Sequence, residues 1–210
     1  MVKNKRIVFL ATRLKGYPKV LDIGTDHGYV LKEAFDKGFI HEAIASDLRE
    51  QPLLSAKKNL ENYPVTFVLS NGFLNIKESF DLALVAGMGA HLISDIMKHA
   101  PKGNEVYLLQ PNDKYDVLRE YLMHHGWTIT DEWVIHDRFY YVLMEVKRGT
   151  MHLEKSDLIL GPCLKTKSEA KDYYQWKLNQ INQIIEHAKG SSRTSLEQRR
   201  EIYQNALQLM

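Results

Sequence analysis

Pro18-Lys-Val-Leu-Asp-Ile-Gly-Thr-Asp-His-Gly-Tyr-Val-Leu31 is the stretch from which the rest of the chain is read. Val20, Leu21 and Ile23 read as a short buried strand entered at Pro18. A tight turn carrying Gly24 and Gly28 follows, and the pattern predicts a helix over 29–37. Strand, glycine turn and helix in this order form the first unit of a doubly wound α/β sheet, whose ligands bind at the carboxyl ends of the strands. The dinucleotide fingerprint G-x-G-x-x-G is absent. The turn reads Asp22-x-Gly24-x-Asp26-x-Gly28 instead, which suits a ligand without a pyrophosphate. Taken alone, the motif also fits a purely structural turn.

Further strand ends add polar groups to the same edge. Ala43 to Asp47 is a second apolar strand ending in a carboxylate, 25 residues after Asp22 and followed by Leu48. A carboxylate there can accept both hydroxyl protons of a ribose. A helix over 51–61 leads to a third strand, Val65 to Leu69, and to the turn Ser70-Asn71-Gly72-Phe73. Phe73 fits either a ring flanking a base or a core side chain. The fourth strand, Phe80 to Ala86, runs into Gly87-Met88-Gly89-Ala90 and a helix over 91–99. The fifth, Glu105 to Gln110, ends in Gln110-Pro111-Asn112. A helix over 115–125 stops at Gly126, and residues 127–134 and 139–147 close the sheet as an antiparallel pair. The expectation is a seven-stranded sheet.

Composition sets the bounds. With 210 residues and 44% hydrophobic content, one sizeable core and a smaller appendage are affordable. The single cysteine, Cys163, excludes an internal disulfide and a thiolate cluster. The run Ile7 to Ala11 is too short for a signal peptide or a membrane span, so a cytoplasmic protein is expected. The net charge of +2 announces no nucleic-acid binder by itself. Its distribution is uneven, since Lys3, Lys5, Arg6, Arg13, Lys15 and Lys19 all precede the first acidic residue, Asp22. Such an arm meets phosphates or simply solvates an amphipathic first helix.

After Gly149 glycine becomes scarce and strand patterns disappear, which places a domain boundary between 1–150 and 151–210. Thr166-x-x-Glu169 reads as a capping box opening a helix to Lys189, with Tyr174, Leu178, Ile181, Ile185 and Ala188 on one stripe. Thr194-x-x-Glu197 reads as the cap of a second helix carrying Leu196, Tyr203, Leu207 and Met210. Two such stripes predict an antiparallel coiled-coil hairpin.

The turn at Asp22 resembles motif I (D/E-x-G-x-G-x-G) of class I S-adenosylmethionine-dependent methyltransferases, with Asp26 in place of the middle glycine. Taken with Ala45-Ser-Asp47, Asn71-Gly-Phe73, Ala86-Gly-Met-Gly89 and Leu109-Gln-Pro111, nearly the whole chain resembles the bacterial tRNA (adenine-22-N1)-methyltransferases, the TrmK family. Gly28 stands where many members have Ala, Asn71 where Asp is usual, and Ala90 where a second Gly is usual. The resemblance implies a class I, Rossmann-like α/β sheet with a C-terminal helical coiled-coil domain that helps hold tRNA. It also implies methyl transfer from S-adenosyl-L-methionine to N1 of adenosine 22, in line, to a base flipped out of its stack. Expected cofactor contacts are Asp22, Gly24, Thr25, Asp26, Gly28, Asp47, Leu48, Asn71, Gly72, Phe73, Ala86 and Gly87. Expected substrate contacts are Arg6, Met88, Gly89, Gln110, Pro111 and Asn112.

The product base is cationic, so a carboxylate near its N6 amino group stabilises developing charge. Asp26 is the candidate, with His27 and Tyr29 beside it to orient or stack on the adenine. His27 as a solvent-facing turn residue and Tyr29 as a packing residue are the competing readings. His91, His124, His125 and His136 lack metal-ligand spacing, and no metal is expected. A monomer with tRNA as its partner is expected. Two other classes stay open: a methyltransferase of a small molecule or protein, and a non-catalytic module that binds the cofactor or RNA without turnover. The (D/N)-P-P-(Y/F) signature of adenine N6 methylation is missing after the fourth strand.

Overall fold

In the computed structural model, which describes residues 4–210, strands and helices alternate along the first two thirds of the chain. Helix α1 (Lys5–Arg13) precedes β1 (Lys19–Ile23), α2 (Tyr29–Asp36), β2 (Glu42–Asp47), α3 (Glu50–Asn59) and β3 (Val65–Leu69). Then come β4 (Leu82–Met88), α4 (Ala90–Met97), β5 (Val106–Pro111), α5 (Tyr115–His124), β6 (Trp127–His136) and β7 (Tyr140–Arg148). The seven strands lie in the order β3-β2-β1-β4-β5-β7-β6. All neighbouring pairs are parallel except those made by β7, which runs antiparallel to both β5 and β6. This is the expected seven-stranded, Rossmann-like sheet. The strand order reverses at β1 and β4, so the crevice beyond their carboxyl ends is where a ligand can enter.

The alternation of side chains along each strand builds two cores. Leu82 and Leu84 of β4 and Val106 and Leu108 of β5 pack with Leu10 of α1, Leu14 just beyond it, Leu31 of α2 and Leu60 beyond α3. The intervening Ala83, Val85, Tyr107 and Leu109 face α4, α5 and the C-terminal helices. Among the described residues no helix is long and apolar enough to cross a membrane.

The C-terminal part differs from its expectation at both helix starts. A short helix, α6 (Lys155–Leu160), opens it, and the capping box there is formed by Glu154 and Asp157. Thr166 caps nothing; its hydroxyl donates to the Cys163 carbonyl at 3.0 Å within a run of 3-10 turns. Helix α7 (Lys171–Ile185) therefore begins four residues later than the capping pattern suggests. Helix α8 (Gly190–Gln208) begins earlier, at Gly190, and the Thr194 hydroxyl turns back to the Gly190 carbonyl at 3.5 Å. A Ser/Thr-x-x-Glu pattern on a helix interior carries the same letters as a cap.

The stripes hold in part: α7 ends at Ile185 rather than Lys189, which leaves Ala188 beyond it, and Leu196, Leu207 and Met210 are only half-buried. Tyr174, Leu178, Ile181, Ile185 and Tyr203 are buried, and α7 packs against α8 as a hairpin. Composition changes at residue 150, but packing does not. Leu153, Ile159, Leu164, Tyr173 and Tyr203 share one core with Leu118, Trp127 and Met144 of the sheet region.

A buried ion pair fixes this junction. Arg119 of α5 donates to Glu132 of β6 at 2.8 Å, and both side chains are almost wholly inaccessible. Arg119 also donates to the carbonyls of Leu158 (2.8 Å) and Ile159 (3.4 Å), while the other Glu132 oxygen accepts from the N–H groups of Cys163 (3.0 Å) and Leu164 (3.3 Å).

Candidate functional site

A cavity of about 550 Å³ opens at the carboxyl ends of β1, β2 and β4, within the size range of small-molecule sites. The glycine turn after β1 forms its floor. Gly24 and Thr25 donate their N–H groups to the Ser46 carbonyl at 2.8 and 3.0 Å, which ties the turn to the end of β2. Gly24 adopts φ +74°, and a Cβ there would lie 2.1 Å from the Met88 methyl group. The position thus admits only glycine while Met88 keeps its place over the turn.

Two carboxylates converge here from adjacent strands. Asp22 is buried and accepts from the Thr25 hydroxyl at 2.8 Å. Burial pushes its pKa up to about 6, against the opposing effects of that hydrogen bond and of the Arg6 charge; nearby Asp47 adds to the rise. Asp47 is 7% exposed, and one of its oxygens accepts from the Arg49 N–H at 2.9 Å. Its other oxygen accepts no hydrogen bond among the described residues, which leaves it open to a ligand. The Ser70–Gly72 turn completes this end, held by the Ser70 hydroxyl, which donates to the Gly72 carbonyl at 2.8 Å. Leu48 and Leu92, both more than half exposed, and Ile96 add apolar walls.

Arg6 forms the opposite wall. Its Nε donates to Gln110 Oε1 at 2.7 Å, and its guanidinium lies 5.2 Å from the Tyr141 ring centre. Burial lowers its pKa, while Tyr141 and Asp22 act to restore it. Gly87 is the bulge of β4, where the register with β5 shifts between Ala86 and Met88. With φ +81°, it passes so close to Arg6 that a Cβ would meet Nη2 at 3.0 Å. The bulge is locked from below: Asn112 donates its side-chain amide to the Gly87 carbonyl and its N–H to the Met88 carbonyl, both at 2.8 Å.

At the rim stand Asp26, His27 and Tyr29. Asp26 is a non-glycine residue at φ +50°, a strained conformation that fits its place at a motif position usually held by glycine. Its carboxylate is largely exposed and lies 3.9 Å from His27 Nε2. The His27 ring stacks on Tyr29 with centres 5.4 Å apart, and Tyr29 is 51% exposed, so it is not a packing residue of α2.

Most of the residues singled out from sequence therefore meet: Arg6, Asp22, Gly24, Thr25, Asp26, His27, Tyr29, Asp47, Leu48, Asn71, Gly72, Ala86, Gly87 and Met88 all line the cavity. Others do not reach it. Phe73 is buried in the core against Phe80 and Tyr107, and Gly28 faces Leu60 and Ala56. Gln110 and Asn112 act on the wall from behind, through Arg6 and Gly87; Pro111 is buried, and Gly89 caps α4. Arg49, Ile7, Leu92 and Ile96 also line the cavity and were missed, because each looks like an ordinary helix or loop residue in sequence.

The basic arm is mostly satisfied locally. Arg13 lies over the Trp133 ring at 4.3 Å, and Lys19 pairs with Glu78 at 2.7 Å. Lys3 falls outside the described residues. Among those residues no three His, Cys, Asp or Glu side chains are grouped to hold a metal ion.

Asp22 gives a pH prediction for the cofactor-free protein. Its folded pKa, about 6, is above the unfolded value of 3.8, so the folded state holds this proton more tightly. Stability from this group is therefore greatest below about pH 4, falls as pH rises to about 6, and levels off above. Asp22→Asn should remove that falling limb. The gain of the variant over wild type should grow by up to about 3 kcal/mol between pH 4 and 7, read from urea midpoints. A gap that stays constant with pH would refute the assignment.

The model of the family described as tRNA (adenine(22)-N(1))-methyltransferase matches residues 20–209. A Mycoplasma pneumoniae protein is 32% identical over 162 residues, which are 72% of this chain and 75% of its own length. The Bacillus subtilis tRNA (adenine(22)-N(1))-methyltransferase is 27% identical over 188 residues, 82% of this chain and 79% of its own. A Streptococcus pneumoniae protein solved in complex with S-adenosyl-L-methionine is 27% identical and superposes over 99% of this chain and 100% of its own, with a TM-score of 0.84.

Proposed function

Because the chain belongs to the tRNA (adenine(22)-N(1))-methyltransferase family, we propose that its cavity holds S-adenosyl-L-methionine against Asp22, Asp47 and the Ser70–Gly72 turn, and that the rim receives the target adenine. The activity is transfer of a methyl group from S-adenosyl-L-methionine to N1 of adenosine 22 in tRNA. The observation that carries the site reading is the pair of buried carboxylates at the ends of neighbouring parallel strands, both opening into one cavity.

The donor set fits the cofactor. Asp47 has an oxygen available for a ribose diol, and Asn71 and the backbone of its turn offer hydrogen bonds to adenine between Leu48 and Leu92. Asp22 and the glycine turn face the methionine portion. When bound, the cofactor supplies an electrophilic methyl group on a positively charged sulfur. The chain's own work is placement. Adenine N1 presents an in-plane lone pair, so holding that edge toward the methyl group for in-line attack is an orientation effect worth several kcal/mol. Flipping the base out of its stack costs roughly a few kcal/mol. Tyr29 and His27 offer an exposed aromatic ledge for it, with Arg6 and Met88 opposite.

Asp26 is assigned as the acceptor for the N6 amino group. That hydrogen bond strengthens as N1 is methylated and N6 becomes more acidic, so it acts mainly in the transition state. Asp26→Asn should lower kcat about tenfold, near 1.4 kcal/mol, with cofactor affinity little changed. Asp26→Gly relieves the positive φ, so it should fold at least as well and still lose turnover. A variant that keeps kcat but loses cofactor affinity would make Asp26 a methionine-binding residue instead.

The reading extends to a cytoplasmic monomer with a cofactor-binding part, 1–150, and a helical part, 151–210, that contributes to tRNA binding. The decisive experiment is incubation with labelled S-adenosylmethionine and unmodified tRNA, followed by nucleoside analysis. Labelled 1-methyladenosine confined to position 22 is expected. Methylation of a small molecule or protein without RNA, or cofactor binding without product, would replace it.

A further inference from the structure

A second cavity, of about 420 Å³, lies on the same sheet edge, between the starts of α4 and α5 and the helices α7 and α8. It shares no lining residue with the cofactor cavity, but the two linings come close along the chain. His91 stands three residues beyond Met88 at the start of α4. The same Asn112 hydrogen bonds that lock Gly87 and Met88 carry the chain directly to Lys114.

The charge lining this cavity is unbalanced. Lys114, Lys177 and Arg199 face it together with one carboxylate, Asp116, and that carboxylate is taken by Arg199. Lys177 forms no ion pair among the described residues. Its ammonium group lies 5.6, 5.8 and 5.1 Å from the ring centres of Tyr115, Tyr173 and Trp176. Burial lowers its pKa, and the neighbouring Arg199 and Arg119 charges lower it further, against an opposing effect of Asp116. A cation in an aromatic, partly dry setting with too few counter-charges is ready for an anion. Lys114 adds a second sign. It adopts φ +49°, a conformation costly for a lysine, while its ammonium group reaches to 3.4 Å from His91 Nε2.

We propose that this cavity is a phosphate subsite, in which Lys114 and Lys177 hold a phosphodiester of the RNA strand next to the nucleotide presented to the catalytic rim. The proposal rests on the reading of tRNA as substrate. It places the contribution of the helical part to RNA binding in its junction with the sheet, where α7 and α8 meet α5. A phosphate there fixes the strand's register beside the rim, in the manner of backbone contacts that position rather than specify.

The test is binding of unmodified tRNA by full-length Lys177→Gln and Lys114→Gln proteins over a salt series. Each should weaken tRNA affinity about tenfold and reduce the slope of log affinity against log salt by about one. KM for tRNA should rise, while kcat at saturating tRNA and calorimetric affinity for S-adenosylmethionine stay within twofold. Lys177→Arg should restore binding. Lys102→Gln, which removes an exposed cation at the entry to β5, should not alter the slope. Lys114 is exposed, so its variant reports even if Lys177→Gln lowers stability.

Wild-type tRNA affinity and salt slope in both glutamine variants would overturn the proposal while leaving the methyltransferase reading intact. Absence of tRNA binding and methylation in the wild type would instead remove that reading. Calorimetry with inorganic phosphate separates the other source of the same chemistry. Phosphate binding abolished by Lys177→Gln with tRNA affinity unchanged would make this a small-anion site and overturn the RNA assignment.

Discussion

Glu132→Ala is expected to destabilise the protein by about 3–5 kcal/mol, the range for breaking a buried ion pair from one side. The variant strands the Arg119 guanidinium in the core and leaves the Cys163 and Leu164 N–H groups without their acceptor. Burying a charge without its partner costs far more than the pair gains in place. Arg119→Ala should be comparably damaging, since it leaves Glu132 without its partner at zero exposure and frees the Leu158 and Ile159 carbonyls. Urea midpoints measure both. The double variant Arg119→Met/Glu132→Leu should recover much of the loss, because it removes both charges at once. A loss below about 1 kcal/mol in either single variant would show that the junction between sheet and helices is held by packing alone.

The second large effect is on the cofactor. Asp47→Ala should weaken S-adenosylmethionine and its demethylated product alike, by about 100-fold. Two charge-assisted hydrogen bonds to a ribose diol contribute on the order of 3 kcal/mol together, since such bonds are worth about 1.5–3 kcal/mol each. Asp47 is suited to this role because its surroundings fix it: one oxygen is already tied to the Arg49 N–H, so little further ordering is needed on binding. Asp47→Asn keeps the shape and should fall between wild type and Ala. Calorimetry reads all three, and a loss below threefold in Asp47→Ala would mean that the ribose lies elsewhere. Equal weakening of substrate and product marks a role in binding rather than in the chemical step.

The two effects separate the protein's two kinds of buried charge. Asp47 is near the surface of a cavity with an oxygen to spare. Glu132 has both oxygens committed to the chain itself. A ligand can reach the first only.

Local patterns carried much of the architecture. Val20 to Gly28 reads as strand and glycine turn because apolar residues and glycines at those offsets allow little else, and Asp47 follows from a second apolar run ending in a carboxylate. Seven strands with a closing antiparallel pair were likewise legible, since short apolar runs and the turn residues that bound them are properties of neighbours in sequence. What the sequence could not determine depended on distant partners. Thr166 and Thr194 looked like caps, yet both hydroxyls turn back to carbonyls, of Cys163 and Gly190, and the helices start elsewhere, at Lys171 and Gly190. Phe73 looked able to flank a base, and the neighbouring rings of Phe80 and Tyr107 draw it into the core. Arg6 was expected at the substrate from the resemblance, but its contact with Gln110, 104 residues away, exists only in the folded chain. Lys177 carries no signal in sequence; only the folded chain places it in a cavity with residues of α5 and α8. Fold class is written in local apolar runs and turns, whereas the placing of a charged side chain is decided by which surfaces meet, because burial and opposing charge exist only once they do.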